Sequence, residues 1–282
     1  MTLRIIDLEG IDIYTLHATE DYFLEQVGQG TQPPTVIFST IYRPGISIGK
    51  EQNLERDIDT KNAKKRGADI TRRMTGGRSV WLDQDHYIVS LIRPKSPNDL
   101  DTAKKYADVC SRVIKSIHAT TGLELFLKNN NDLMTSQNGH IGGAAQHSSK
   151  DSYIVHCYIR KKINLDCVLD VIMLDGRKLQ NYKNEFKEFA VSLETEGYYD
   201  YEFSKKFRRS FISCFEEDFE EKDLTTFEKI AIEKIAQDYK NPSYIAGTGN
   251  EPSRGNCDMF EGSKVRIREL TELAKKGELK FR

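Results

Sequence analysis

Between Ile70 and Ile92 the chain reads ITRRMTGGRSVWLDQDHYIVSLI: an arginine pair, a diglycine turn and then a strongly apolar, β-prone run. Such a stretch predicts a binding loop held between two strands. Gly76 and Gly77 permit positive φ and a close approach of backbone to a ligand, while Arg72 and Arg73 bring charge that could fork onto a phosphate or carboxylate. An anionic ligand is the first expectation, although an ordinary β-turn with solvated arginines would use the same residues.

The rest of the chain supplies the scaffold for that loop. Leu3 to Leu8 reads as a strand, and Ile13 to Val27 as a helix with Thr15 and Thr19 as candidate caps. Thr35 to Thr40 and Tyr42 to Ile48 read as strand, loop, strand, followed by a charged surface helix over Leu54 to Lys65 and a long strand or hairpin arm over Ser79 to Arg93. Helical spacing of Ala103, Tyr106, Ala107, Cys110, Val113, Ile114 and Ile117 predicts a helix over Leu100 to Thr121, stopped near Gly122. Leu123 to Leu127, Asp132 to Thr135, His140 to Gln146 and Tyr153 to Ile159 are short β-like pieces between Asn, Gly and Ser turns. Helices are expected at Asp166 to Leu174, Tyr201 to Phe219 and Leu224 to Tyr239, the last opened by a capping box of Thr225 or Thr226 with Glu228. The expected class is α/β (α+β): a mixed, largely antiparallel sheet with flanking helices gathered to one side.

Composition narrows the function. The 42 Lys and Arg against 43 Asp and Glu leave a net charge of −1, which gives no general attraction to nucleic acid or to an anionic membrane. Cys110, Cys157, Cys167, Cys214 and Cys257 are widely spread with no CxxC pair, as expected for reduced thiols. With no signal-like or spanning apolar run, the expectation is a soluble cytoplasmic protein with neither nucleic-acid nor membrane partners.

Four segments in this order resemble the lipoate and octanoate protein ligase and transferase family, within the superfamily that contains biotin protein ligase. They are FSTIYRPGISIGKEQNLERDID, with Gly49, Gln52 and Asn53 at its core; the RRMTGGRSVWLDQDHYIVSLI loop; NNNDLMTSQNGHIGGAAQ; and VHCYIRKKINLDCVL. The resemblance implies a biotin/lipoate ligase-like catalytic domain over residues 1–240, with residues 241–282 as a C-terminal extension or remnant accessory segment. It implies ATP-dependent activation of lipoate or octanoate as an acyl-adenylate, then transfer to a lysine of a lipoyl-acceptor carrier domain. A separate accessory chain is a further implied partner. Two alternatives are an ATP-independent octanoyltransferase and a catalytically reduced homologue that binds an acyl ligand or a lipoylated protein.

Carried over position by position, the resemblance places Arg72, Arg73, Gly76, Gly77, Arg78, Gly142, Gly143, Ala144 and His156 around the substrate. Asp132 becomes a catalytic residue and a candidate Mg2+ ligand. The family's motif lysine, which contacts the acyl carbonyl and the phosphate, is replaced by His140, and neither Lys128 nor Lys150 stands in its place. A neutral imidazole offers one donor where an ammonium offers three and a permanent charge. His140 is therefore expected to act as the catalytic cation only if Asp132 raises its pKa. Cys157 stands where the family has glycine and is expected to be a buried strand thiol, and His86 a hairpin-end histidine.

Overall fold

In β1 (Leu3–Ile11) apolar side chains alternate between two faces, and α1 (Ile13–Gly28) follows at once, capped by Asp12, whose side chain accepts from the Thr15 backbone N–H. The cap is thus Asp12, and Thr15 and Thr19 lie inside the helix. Because α1 crosses over to β2 (Thr35–Ile41), β1 and β2 pair in parallel. The computed structural model describes residues 2–96, 101–174 and 176–247; most of the expected C-terminal extension, with Cys257, lies outside them.

Next come β3 (Gly45–Ile48), the short helices α2 (Leu54–Asp57) and α3 (Thr60–Lys65), β4 (Asp69–Arg72), β5 (Val80–Leu82) and β6 (His86–Pro94). The expected single helix over 54–65 is broken at Ile58, which bridges to Ile172. The expected long arm over 79–93 is also two strands: β5 joins β3 and β4 in a small sheet, while β6 lies in the main one. Then follow α4 (Thr102–Thr121), β7 (Leu125–Lys128), β8 (Asp132–Thr135), β9 (His140–Ser148) and β10 (Ser152–Arg160). Gly122, with φ of 80°, ends α4 in the left-handed conformation that glycine adopts without strain.

The C-terminal part holds α5 (Leu165–Val171), β11 (Met173–Leu174), β12 (Arg177–Lys178), α6 (Lys183–Phe189), α7 (Phe203–Ile212), β13 (Phe219–Glu221), α8 (Thr226–Lys240) and α9 (Pro242–Ala246). The Thr225–Glu228 capping box of α8 is present in full. The expected helix over 201–219 is shorter: it stops at Ile212, and Phe219 opens a strand parallel to β1.

The main sheet has eight strands in the order β13, β1, β2, β6, β10, β9, β8, β7, antiparallel from β2 to β7. Helices cover both faces rather than one. Phe203, Phe207 and Phe211 of α7, at i, i+4 spacing, meet Val109, Val113 and Ile117 of α4 over one face; each buried Phe contributes roughly 2 kcal/mol. Ala18, Phe23 and Leu24 of α1 meet Ile232 and Ala236 of α8 over the other. Arg4 and Glu228, both buried and paired at 2.6 Å, tie β1 to α8. Among the described residues no helix is long and apolar enough to cross a membrane.

Candidate active site

Strand β10 divides its side chains by the two-residue period of an extended chain. Val155, Cys157 and Ile159 enter the α4–α7 core. His156, Tyr158 and Arg160 face the other way, opposite Ser90, Ile88 and His86 of β6 in register. The loop of residues 73–79 closes over this second face, and α1 brings Leu16, His17 and Glu20 to it.

Both loop arginines hold the loop through protein oxygens. Arg72 donates from Nη1 to the carbonyls of Gly49, Lys50 and Gln52 at 2.9, 3.0 and 2.7 Å, and from Nε and Nη2 to those of Ile245 and Ala246. Arg73 donates to the carbonyls of Ser47, Gly76 and Arg78 and to the Thr75 hydroxyl. A buried guanidinium must satisfy its donors, and a tight turn presents carbonyls at the matching spacing. Gly77 adopts φ of 89°, and its carbonyl packs where a Cβ on Gly49 would approach to 1.9 Å, so both positions require glycine. Gly76 has no positive φ. The N–H groups of Gly76 and Gly77 meet no acceptor among the described residues.

Beneath the loop lies a closed ring of buried polar groups. The ionised Glu20 carboxylate can only accept, so His17 and His156 each donate Nδ1–H to it, at 2.9 and 2.8 Å, and Ser90 donates at 2.7 Å. The Nε2 atoms meet hydroxyls, His17 that of Ser47 at 2.9 Å and His156 that of Thr75 at 3.0 Å. Arg73 closes both arms by donating to Thr75 at 2.9 Å and to Ser47. Two imidazoles thus link a buried arginine to a buried carboxylate. Burial alone would raise the Glu20 carboxyl, but its contacts with His156 and His17 outweigh that and hold it well below the carboxylate range. Burial pushes His17 down, towards its neutral form. His17, Glu20 and His156 form the one group among the described residues with metal-ligand spacing. Every one of their ligand atoms already has a protein partner, so the cluster does not call for an ion.

His140 departs from expectation in its charge. Its Nδ1 accepts from Arg160 Nη1 at 3.1 Å, its Nε2 faces Asp132 at 3.5 Å, and Phe189 stacks on the ring at 5.1 Å and 12°. Burial lowers its pKa, Asp132 raises it, and the Arg160 cation lowers it further; the net shift is downward, opposite to what a catalytic cation needs. Asp132, held below its usual range despite burial by His140 and Asn129, is a single carboxylate with no second acidic group completing a metal site among the described residues.

Gly143 lies opposite Tyr158, where an added Cβ would come within 3.4 Å of the Tyr158 ring and 3.5 Å of His140 Nε2. Gly142 is required by the Tyr158 carbonyl, 2.3 Å from its virtual Cβ. Ala144, expected at the substrate, instead packs in the α4–α7 core beside Cys157, because its register places it on that face. Cys157 is buried there as expected, with its thiol pKa raised well above normal by desolvation. His86 is buried and bonded to Asp83 at 2.9 Å. Sequence reasoning missed Glu20, His17, Tyr158 and Arg160; the alternation of residues 156, 158 and 160 on β10 was the available signal.

Residues 12–211 match the lipoyl protein ligase A/B catalytic domain. Octanoyltransferase LipM of Staphylococcus aureus is 23% identical over 271 residues, which cover 86% of this chain and 98% of that protein. Octanoyltransferase LipM of Moorella thermoacetica is 39% identical over 84 residues, 30% of this chain and 31% of that protein. Among solved structures, one from the bi-partite lipoate protein ligase and E2 lipoyl domain system of Thermoplasma acidophilum superposes with a TM-score of 0.77 at 21% identity, covering 89% of this chain and 99% of that one. A lipoate-protein ligase A bound with ATP gives 0.74 at 21% identity, covering 88% and 99%. At that identity the likeness speaks for the fold.

Proposed function

Because this chain belongs to the lipoyl protein ligase A/B catalytic-domain family, we propose that it is the enzyme that joins a lipoyl or octanoyl group to a lysine of a lipoyl carrier domain in the cytoplasm, using ATP. The observation that carries this reading is the glycine turn: its N–H groups at 76 and 77 are without acceptors among the described residues, while two arginines fix its shape from behind. Fixed N–H donors without partners suit an anion such as a phosphate. Beside the turn, Leu16, Ile41, Leu82 and Ile88 pack with Tyr158 into an apolar cluster of the kind an acyl chain requires.

In the first step a carboxylate oxygen of the acid attacks the α-phosphorus of ATP, and pyrophosphate leaves. In the second the acceptor lysine amine attacks the acyl carbonyl carbon, the bond to AMP breaks, and the amine gives up a proton. Donors aimed at the oxygens that gain charge lower both barriers. Cys110 and Cys157 are buried with raised pKa values, Cys110 to about 12, which argues against a thioester on either. Asp132 is already held by His140 and Asn129. The catalytic unit is taken to end near residue 240; α9 just beyond it closes on Arg72, and a second chain could supply an accessory part.

A second reading, acyl transfer from a carrier thioester without ATP, draws on the full-length match to an octanoyltransferase. The test is the intact mass of a lipoyl domain after incubation with the enzyme, octanoate or lipoate, and Mg-ATP, with pyrophosphate followed in parallel. A mass gain that needs ATP supports the ligase. A gain only from an acyl-carrier donor supports the transferase, and no gain from either donor overturns both.

A further inference from the structure

Three arginines are buried at this site, and one of them keeps donors to spare. Arg72 and Arg73 direct every guanidinium nitrogen at protein oxygens. Arg160, 9% exposed, donates from Nη1 to the His140 carbonyl at 2.6 Å and to its Nδ1 at 3.1 Å, and from Nη2 to the Tyr158 hydroxyl at 3.2 Å. Its Nε–H and second Nη2–H have no acceptor among the described residues, and no carboxylate there pairs with it. A buried cation without a counter-charge is costly, and such groups are normally paired or bound to a ligand. Two remaining donors on one planar guanidinium match the two oxygens of one carboxylate.

We infer that Arg160, positioned by His140 and Tyr158, is the fixed cation that receives the head group of a medium-chain carboxylic acid. The assignment rests on the acyl-transfer reading above. It supplies by another route the charge that the His140 substitution removes from the site. His140 touches Arg160 through Nδ1, so it orients the guanidinium rather than meeting the acid itself; it is a positioning residue. Tyr158 links the two chemistries. Its hydroxyl accepts from Arg160, and its ring packs with Leu16, Ile41, Leu82 and Ile88, so the charged and apolar ends of a fatty acid meet adjacent groups of one strand. Around His140 the charged groups are Asp132 of β8, Arg160 of β10 and Lys128 of β7.

Calorimetric titration of the full chain with octanoate and with octanamide separates head-group recognition from chain burial. Arg160→Met is expected to weaken octanoate by about tenfold to a hundredfold, the range for a lost charge-assisted hydrogen-bonded contact, and octanamide by less than about threefold. Octanoate affinity of the native chain is expected to stay flat from about pH 6 to about pH 8.5, because a guanidinium does not titrate there. In His140→Gln the affinity falls moderately and the profile stays flat. Equal loss of both ligands in a folded Arg160→Met, undiminished octanoate binding in it, or an affinity that falls with imidazole deprotonation would each overturn the assignment. Failure of the native chain to bind octanoate, lipoate or octanamide would overturn the acyl reading itself, and the assignment with it.

Discussion

Glu20→Gln probes the buried ring directly, because the replacement keeps the volume and removes the charge. The native carboxylate accepts three hydrogen bonds, from His17 at 2.9 Å, His156 at 2.8 Å and Ser90 at 2.7 Å. An amide can accept on one atom only, and its NH2 would face an N–H unless an imidazole changes tautomer. Each bond to a charged acceptor is worth about 1 kcal/mol more than its neutral counterpart, so three of them give a loss of about 3 kcal/mol. For a chain of this size that is roughly 6–12 °C in Tm. Urea unfolding followed by circular dichroism measures the loss. Hydrogen exchange at the turn of residues 75–77 should quicken in the same variant, since His156 reaches the turn through Thr75. A loss below about 1 kcal/mol with unchanged exchange would refute the relay from Arg73 to Glu20.

Gly49→Ala is expected to disrupt the turn, since its Cβ would fall 1.9 Å from the Gly77 carbonyl; a melting temperature lowered by several degrees together with lost acid binding checks this. The pH dependence of stability follows from His17. Its folded pKa is lowered by burial, so its contribution is complete above the unfolded value of about 6.5 and is lost as pH falls below it. Urea midpoints between about pH 7.5 and about pH 5.5 should therefore decline more steeply in the native chain than in His17→Gln. Cys110 and Cys157, buried with raised thiol pKa values, should resist iodoacetamide in the folded protein and react in urea, as peptide mass spectrometry would show.

Much of the scaffold was legible because it is encoded locally. The helix α4 announces itself by Val109, Cys110, Val113 and Ile117 on one face, and α8 by its capping box. What escaped depends on distant partners. The run from Ser79 to Arg93 reads as one arm because nothing in Asp83 or Asp85 reveals that the strands on either side pair in different sheets. Strand β13, three exposed residues of which two are acidic, has no local β-signal and exists because β1 offers an edge. The same logic governs the site. That Arg72 and Arg73 hold the turn is visible only once the carbonyls of Gly49, Ser47 and Gly76 are placed around them. Arg160 takes its place in the site only where β9 sets His140 against it.

That last contact makes positions 140 and 160 interdependent. Here Arg160 Nη1 lies 3.1 Å from His140 Nδ1, an arrangement that a neutral acceptor permits and an ammonium does not. Placing a lysine there alone, His140→Lys, would set two cations against each other in a buried site. Two charges at about 4 Å and an effective dielectric of about 20 repel by about 4 kcal/mol, part of which Asp132 would offset. A destabilisation of about 2–4 kcal/mol follows for the single variant. Arg160→Leu alone should also destabilise, by removing the donor that Nδ1 and the His140 carbonyl accept. Combined, the lysine gains the space and loses its repulsion, so the double variant should be more stable than the sum of the two losses by at least about 2 kcal/mol. Urea unfolding of the four proteins closes the cycle, and ATP-dependent pyrophosphate release by the double variant would show whether one cation has taken the other's place. Additive losses, within about 0.5 kcal/mol, would mean that the two positions act independently.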